Sequence, residues 1–209
     1  MHSHADDLYD CVTFVERSDE HMATVQLLKT KRFGDTRGWF SETYSEQSLA
    51  KAGIHHSFVQ DNHSYSASIG TIRGLHFQRP PYAQAKLVRC ARGSIMDYAV
   101  DVRRDSPTYG KWVSALLSAD NGSQLYVPVG FAHAFITLEP DTEVIYKVSA
   151  AYAPDCDGGL FWNDPEIGIN WPLPAAGPIL SDKDAALPAL AEFDSPFDYD
   201  GVPLTALSD

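Results

Sequence analysis

Apolar and polar residues alternate with a period of two through most of the central chain. Over 94–102, Met96, Tyr98, Val100 and Val102 fall on one side of an extended chain, and Ile95, Asp97, Ala99 and Asp101 on the other. Short runs of similar character occupy 112–118, 124–128, 131–138 and 143–150. Turn signals separate them: Arg92-Gly93, Ser106-Pro107, Asp120-Asn121-Gly122, Pro128-Val129-Gly130 and Glu139-Pro140-Asp141. Strands this short, at roughly 8–12-residue spacing, predict an all-β sandwich or barrel. Long amphipathic helices do not alternate with them, which argues against a doubly wound α/β fold. Helix is predicted only twice. One segment, 45–53, opens on Ser45 as N-cap and stops at Gly53; the other, 182–193, is interrupted by Pro188.

The same period places side chains. His133 shares a face with Phe131, Phe135 and Thr137, and Tyr146 shares one with Val144 and Val148. Either residue lines a cavity inside a barrel or is a core residue with its polar atoms satisfied. If 73–78 is extended, Gly74, His76 and Gln78 lie on one face and Arg73, Leu75 and Phe77 on the other. His76 is a candidate general base, a task that needs neutral imidazole near pH 7 and a carboxylate to orient the second ring nitrogen. The sequence offers carboxylates without pairing one to it.

Composition narrows the class. The 209 residues suit one domain with its own core, and 44% hydrophobic against 21% charged residues rules out a mostly disordered chain. The net charge of -12 argues against broad nucleic-acid binding. Much of it lies at the ends: 1–20 hold six acidic residues and one Arg, and 186–209 hold five acidic residues and no Lys or Arg. From Asn62 to Met96 the sign inverts, with Arg73, Arg79, Lys86, Arg89 and Arg92 and no acid. This is a solvated basic edge or an anion site whose Arg forks match phosphate or carboxylate oxygens. A small phosphate-bearing molecule fits an otherwise acidic protein better than a polymer does. Three widely spaced cysteines, Cys11, Cys90 and Cys156, exclude a zinc ribbon and a disulfide scaffold and suit a cytoplasmic location. No apolar run approaches the ~18 residues of a membrane span, and the polar, acidic N-terminus does not read as a secretory signal.

Other chemistries lack their signatures. His76 is followed by Phe77 and Gln78, so the His-x-His metal pair of metallo-cupins is missing. His55 and His56 are adjacent and would point apart on a strand, while His2, His4 and His21 lie in the N-terminal segment. Neither GxSxG, GxGxxG nor GxxxxGK[ST] occurs, which disfavours a serine nucleophile, a dinucleotide cofactor and ATP hydrolysis.

Nine ordered motifs then carry a resemblance. They are FGDTRGWFSETY (33–44), FVQDNHS (58–64), IRGLHFQ (72–78), AKLVRCARG (85–93), VDVRRDSPTYGKW (100–112), YVPVGFAHAF (126–135), VIYKVSAAYAP (144–154), LFWNDPEIGINWP (160–172) and LSDKDAALP (180–188). The chain resembles the dTDP-4-dehydrorhamnose 3,5-epimerase family over these segments. The resemblance implies a cupin-type jelly-roll β-barrel with a few short peripheral helices, a homodimer, and no metal or organic cofactor. It implies a nucleotide-sugar substrate, dTDP-4-dehydro-6-deoxy-D-glucose, inverted at C3 and C5, with no nucleic-acid or membrane partner.

By motif position, His76 resembles the family's base, Asp184 its carboxylate partner, Tyr146 the opposite-face acid and Lys86 the stabiliser of the enolate oxygen. The resemblance further implies substrate binding by Arg37, Glu42, Gln60, Asp61, Asn62, Arg73, His133, Asp157 and Lys183, with Arg37, Arg73 and Lys183 as partners for the diphosphate. Asp157 stands where the family more often has Glu. Residues 23–190 are expected to form the jelly-roll domain, 1–22 an N-terminal extension and 191–209 an acidic C-terminal tail. Three alternatives remain: a single-centre epimerase of a related sugar, a non-catalytic sugar-nucleotide-binding barrel, and a metal-dependent cupin oxygenase.

Overall fold

The computed structural model describes residues 24–207, so the N-terminal extension expected over 1–22 lies outside the described residues. Among the described residues, twelve strands and two short α-helices make the fold. One antiparallel sheet runs in the order β1 (Gln26–Lys29), β9 (Ser123–Val127), β6 (Lys86–Arg92), β11 (Thr142–Val148), β4 (Gln60–Ser66). The other runs β12 (Asp157–Gly159), β5 (Ile72–Gln78), β10 (Phe131–Thr137), β7 (Ser94–Asp101), β8 (Trp112–Ser118). A hairpin of β2 (Phe33–Asp35) and β3 (Gly38–Phe40) projects beside them, with Trp39 and Phe40 exposed.

Alternation determines what each sheet buries. Val88 and Cys90 of β6, Leu125 and Val127 of β9 and Val144 of β11 meet Ile95 and Ala99 of β7, Leu117 of β8, and Phe131 and Phe135 of β10 in one core between the sheets. The outer face of the first sheet packs Leu28, Leu87 and Tyr126 against Leu49 and Ile54. Leu49 lies on α1 (Glu46–Lys51), whose N-cap is Ser45 as expected, the hydroxyl accepting from the Ser48 amide. The second helical segment breaks into α2 (Asp182–Ala185) and a single 3-10 turn, Leu190–Glu192, on either side of Pro188.

The outer face of the second sheet is covered by chain that follows β12. Leu75, Phe77, Tyr98 and Ala132 pack with Leu160, Trp171, Leu190 and Phe197. In the segment expected as an acidic tail, 191–209, Phe193 and Phe197 lie against this sheet, and Leu204 and Leu207 pack against the core between the sheets. Phe193 packs tilted and Phe197 edge-on against Phe77, with ring centroids 5.1 and 5.6 Å away. Two of the segment's acids meet arginines: Asp200 accepts from Arg103 at 2.6 Å and Asp198 from Arg104 at 2.9 Å. Arg103, with Asp101, is itself buried.

Strict alternation fails at one place. Along the β5–β10 pair, His133 faces His76 and Phe135 faces Arg73, so two steps on β10 span three on β5. This bulge puts Arg73 and His76 on the same side, whereas uninterrupted alternation predicts opposite sides. Gly74 sits in the bulge with φ 130°; a Cβ there would lie 2.6 Å from the His133 carbonyl oxygen, so only glycine lets the strands approach.

Candidate functional site

The inward face of the second sheet carries two histidines opposite each other, His76 on β5 and His133 on β10. Each meets a carboxylate. His76 Nε2 lies 2.7 Å from Asp184 Oδ1, and His133 Nε2 lies 2.7 Å from Asp97 Oδ1. An ionised carboxylate only accepts, so in the pair with Asp184 the His76 Nε2 carries the hydrogen and Nδ1 is the nitrogen left to take a proton; burial pushes the Asp97 carboxyl up, against the pull of His133 and Lys86.

Asp184 arrives on α2. The Ser181 hydroxyl caps that helix by accepting from the Asp184 amide at 3.1 Å. Burial works to raise the Asp184 carboxyl, but hydrogen bonds from His76 and the Gly74 amide outweigh it and hold the group below the usual carboxylate range. Burial keeps His133 below the ordinary imidazole value although Asp97 pulls the other way. The His76 side chain is 28% exposed and His133 only 7%, so the first pair is the more open to a ligand.

Lys86, at the start of β6, is buried from the opposite sheet, and its Nζ donates to the His76 carbonyl at 3.2 Å. Burial pushes its amine down to about 8, against attraction from Asp97 and Asp157. Tyr146, on β11 of that same sheet, packs beside the inter-sheet core with its phenol raised by burial, which keeps the hydroxyl protonated at neutral pH; Arg73 acts against the rise. Arg73 is braced by Ser66 Oγ at 3.3 Å and the Tyr65 carbonyl at 3.1 Å. Asp157 accepts from Lys183, and Tyr152 reaches it at 3.3 Å. Burial would lower the Lys183 amine, but the bond to Asp157 raises it.

The QDN run divides by alternation. Gln60 and Asn62 pair in register with Val148 and Tyr146 on β11, on the inward face, and Gln60 Nε2 donates to Asn62 Oδ1 at 2.8 Å. Asp61 points outward to Lys147 at 3.0 Å. Glu42 is outward too, accepting from Ser48 at 3.1 Å. Glu42, Asp61, Arg89 and Lys147 line a cavity of about 240 Å³ on the far side of the first sheet from His76. Arg37, at the hairpin tip, has an 87% exposed side chain and pairs only with Asp35. Within one chain Arg37, Glu42 and Asp61 are therefore not brought to the histidines. Asp97 was not among the expected site residues. Its signal is an acid between Ile95 and Ala99 on the inward, otherwise apolar face of β7.

Among the described residues no three His, Cys, Asp or Glu side chains are grouped to hold a metal ion. Cys90 is buried, with its thiol pushed up to about 11 by burial, the opposite of what a nucleophile needs.

Fold and site together define a class: an all-β double-sheet protein of cupin type whose inward face carries histidine–carboxylate pairs, a buried ammonium and an opposed tyrosine, the equipment of a proton-transfer enzyme. A family profile described as dTDP-4-dehydrorhamnose 3,5-epimerase matches residues 19–192. A protein of that name from Sinorhizobium fredii is 55% identical over 178 residues, covering 85% of this chain and 91% of its own. Two crystal structures share the fold. The Bacillus anthracis dTDP-4-dehydrorhamnose 3,5-epimerase with TDP and PPi bound has a TM-score of 0.76 at 55% identity, covering 79% of this chain and 93% of its own. The Legionella pneumophila dTDP-6-deoxy-D-glucose-3,5-epimerase in complex with dTDP-4-keto-L-rhamnose has a TM-score of 0.80 at 38% identity, covering 85% and 94%. The chain belongs to the dTDP-4-dehydrorhamnose 3,5-epimerase family.

Proposed function

We propose that this protein epimerises dTDP-4-dehydro-6-deoxy-D-glucose at C3 and C5 to give dTDP-4-dehydro-L-rhamnose. The observation that carries the reading is the partly exposed His76 of one sheet, paired with the buried Asp184 of α2, with Tyr146 and Lys86 on the other sheet, in a chain of this family. The C4 ketone acidifies the C–H bonds at C3 and C5. His76 Nδ1 takes one proton, and the electron pair delocalises onto the C4 oxygen, where the Lys86 ammonium stabilises it. The Tyr146 hydroxyl returns a proton to the opposite face of the carbon, inverting it. Proton exchange with solvent restores both side chains, and the second centre follows the same course.

Arg73 and Lys183 are the cations on the site's own side and suit the diphosphate, with Gln60, Asn62, His133 and Asp157 as further substrate contacts. We further propose a homodimer. Arg37, Glu42 and Asp61 sit on the outer side of this chain, and the exposed Trp39 and Phe40 flank Arg37 on its hairpin, so a second copy is what would bring these residues to a bound nucleotide sugar. We propose a metal-independent reaction, since among the described residues no three His, Cys, Asp or Glu side chains are grouped to hold a metal ion, and a cytoplasmic location on the three widely spaced cysteines; among the described residues no helix is long and apolar enough to cross a membrane.

The test is incubation with the 4-keto sugar nucleotide in D2O followed by NMR. Deuterium at both C3 and C5 of an inverted product supports the double epimerase. Deuterium at one carbon alone replaces it with a single-centre enzyme, and none at either leaves a binding barrel. Tyr146→Phe sharpens the result: it should still exchange substrate protons with retention while inverted product falls about 10²–10⁴-fold.

A further inference from the structure

Gln78 ends β5 two residues after His76 and has no part in the reaction just described, yet it is a buried polar side chain with both ends of its amide engaged. Its Nε2 donates to the Tyr82 carbonyl at 2.7 Å and to the Ala151 carbonyl at 3.2 Å, and its Oε1 accepts from the Ala153 amide at 2.8 Å. A carbonyl only accepts and a backbone amide only donates, so these partners settle which end of the side chain is nitrogen. Tyr82 lies on the connection from β5 to β6, Ala151 and Ala153 on the connection from β11 to β12. That second connection lies outside helix and strand over 149–153, with Ala151 and Tyr152 exposed. Two more glutamines hold it. Gln84 Nε2 donates to the Ala150 carbonyl at 2.8 Å, and Gln60 Oε1 accepts from the Tyr152 amide at 2.9 Å. Each of the four residues 150–153 is thus bonded to a glutamine that comes from elsewhere in the fold.

We propose that Gln78 and Gln84 are positioning residues of the substrate site, whose side-chain amides set the 150–153 segment and, through it, Tyr152 and Asp157 at the rim. The consequence for the reaction rests on the substrate contacts proposed above for Asp157 and Lys183. The path from one to the other is short. The Cys156 amide donates to the Ala153 carbonyl at 2.9 Å, and the next residue, Asp157, stands opposite Gln78 in register. Tyr152 Oη donates to the Asp157 carboxylate at 3.3 Å, and the same carboxylate accepts from Lys183. An apolar side chain at 78 leaves two carbonyls and one amide without their partner, so the segment is no longer held in one place. Ordering it again when substrate binds costs free energy, and that cost falls on affinity. The proton transfers are spared, because His76, Lys86 and Tyr146 find their partners in Asp184, the His76 carbonyl and the inter-sheet core.

Gln78→Met keeps the length of the side chain and removes its hydrogen bonds. Three readouts are needed: amide hydrogen exchange by NMR, the affinity for dTDP by calorimetry, and KM with kcat for the 4-keto sugar nucleotide. The Tyr152 and Ala153 amides should exchange about five- to tenfold faster than in the wild type, the range set by a lost hydrogen bond. Tyr152 is the telling one, because its acceptor is Gln60 and it quickens only if the segment moves as a unit. Affinity for dTDP should weaken and KM rise by a similar factor, with kcat within about twofold of wild type. An unmoved Tyr152 exchange rate overturns the proposal, and so does faster exchange with unmoved affinity. A fall in kcat at constant KM also overturns it, since the damage then lies at the strand that carries His76. Exchange and dTDP affinity are read without turnover, so they decide the matter even where the wild type proves not to epimerise. Should Gln78→Met fail to fold, Gln84→Met, which gives up a single bond, decides on the same readouts: faster Tyr152 exchange with weaker dTDP binding supports the proposal, and no change in either overturns it.

Discussion

The two histidine–aspartate pairs share the same 2.7 Å contact and differ in almost everything else. His133 and Asp97 come from neighbouring strands of one sheet and are sealed in it. His76 meets an acid from a short capped helix 108 residues later in the chain, and its ring is partly exposed. Contact distance therefore does not separate a working base from a fixed one. Access to the free ring nitrogen does, and so does the origin of the carboxylate. A strand–strand pair is fastened by the sheet's own hydrogen bonds, whereas a helix-borne acid depends on a loop and a cap. Removing a member of the open pair should injure rate most; removing one from the sealed pair should injure stability most, with the loss of the His133 substrate contact a smaller effect.

The sharpest way to break this contrast is His76→Ala. Exchange of the C3 and C5 protons should fall about 10²–10⁴-fold, the range for a lost general base, with the unfolding midpoint in urea little changed. Exchange at the wild-type rate would remove His76 from the mechanism. His133→Ala should do the reverse. It strands the Asp97 carboxylate in the core, a loss of about 3–5 kcal/mol read from denaturant unfolding. Adding Asp97→Ala should recover part of that loss, because the unpaired charge goes with it. A double variant as unstable as the sum of its singles would mean the pair is not coupled.

Asp184→Asn should have the smallest effect of the three. A loss of about 10²-fold in kcat is expected, since the amide leaves His76 without its charged partner. Its stability signature has a definite sign. The folded carboxyl lies below its unfolded value of 3.8, so its contribution is present above pH 3.8 and is lost as pH falls through the folded value. The Asn variant should thus lose less stability than wild type when acidified below pH 4, read from urea unfolding at successive pH values.

Alternation made much of the scaffold legible. The expected runs became β7, β8, β9, β10 and β11, and the faces assigned to His133 and Tyr146 are those that meet the inter-sheet core. It failed where pairing, not pattern, decides geometry: the bulge at Gly74 arises from the register of β5 against β10 and moves Arg73 to the His76 side. Asp97 was visible as an acid in an apolar phase, yet without a structure nothing paired it with His133. The motifs could name Asp184 as a partner, but the cap from Ser181 that sets it is a matter of local backbone. Phe193 and Phe197 were hidden in an acidic stretch, where composition says surface and only contact with Phe77 says otherwise.

The distance along the chain between His76 and Asp184 has a further meaning while the protein is being made. At ordinary elongation rates the ribosome needs about 5–20 s to add the 108 residues between them. Through that interval β5 is out without Asp184 for its histidine and without Phe193 and Phe197 for the apolar back of Phe77. The nascent barrel thus carries an uncovered sticky face and an unset base, and it gains both its cover and its chemistry late in translation. Slow codons between these positions would lengthen the hazard, and a chaperone that shields exposed apolar strands would find its target on β5.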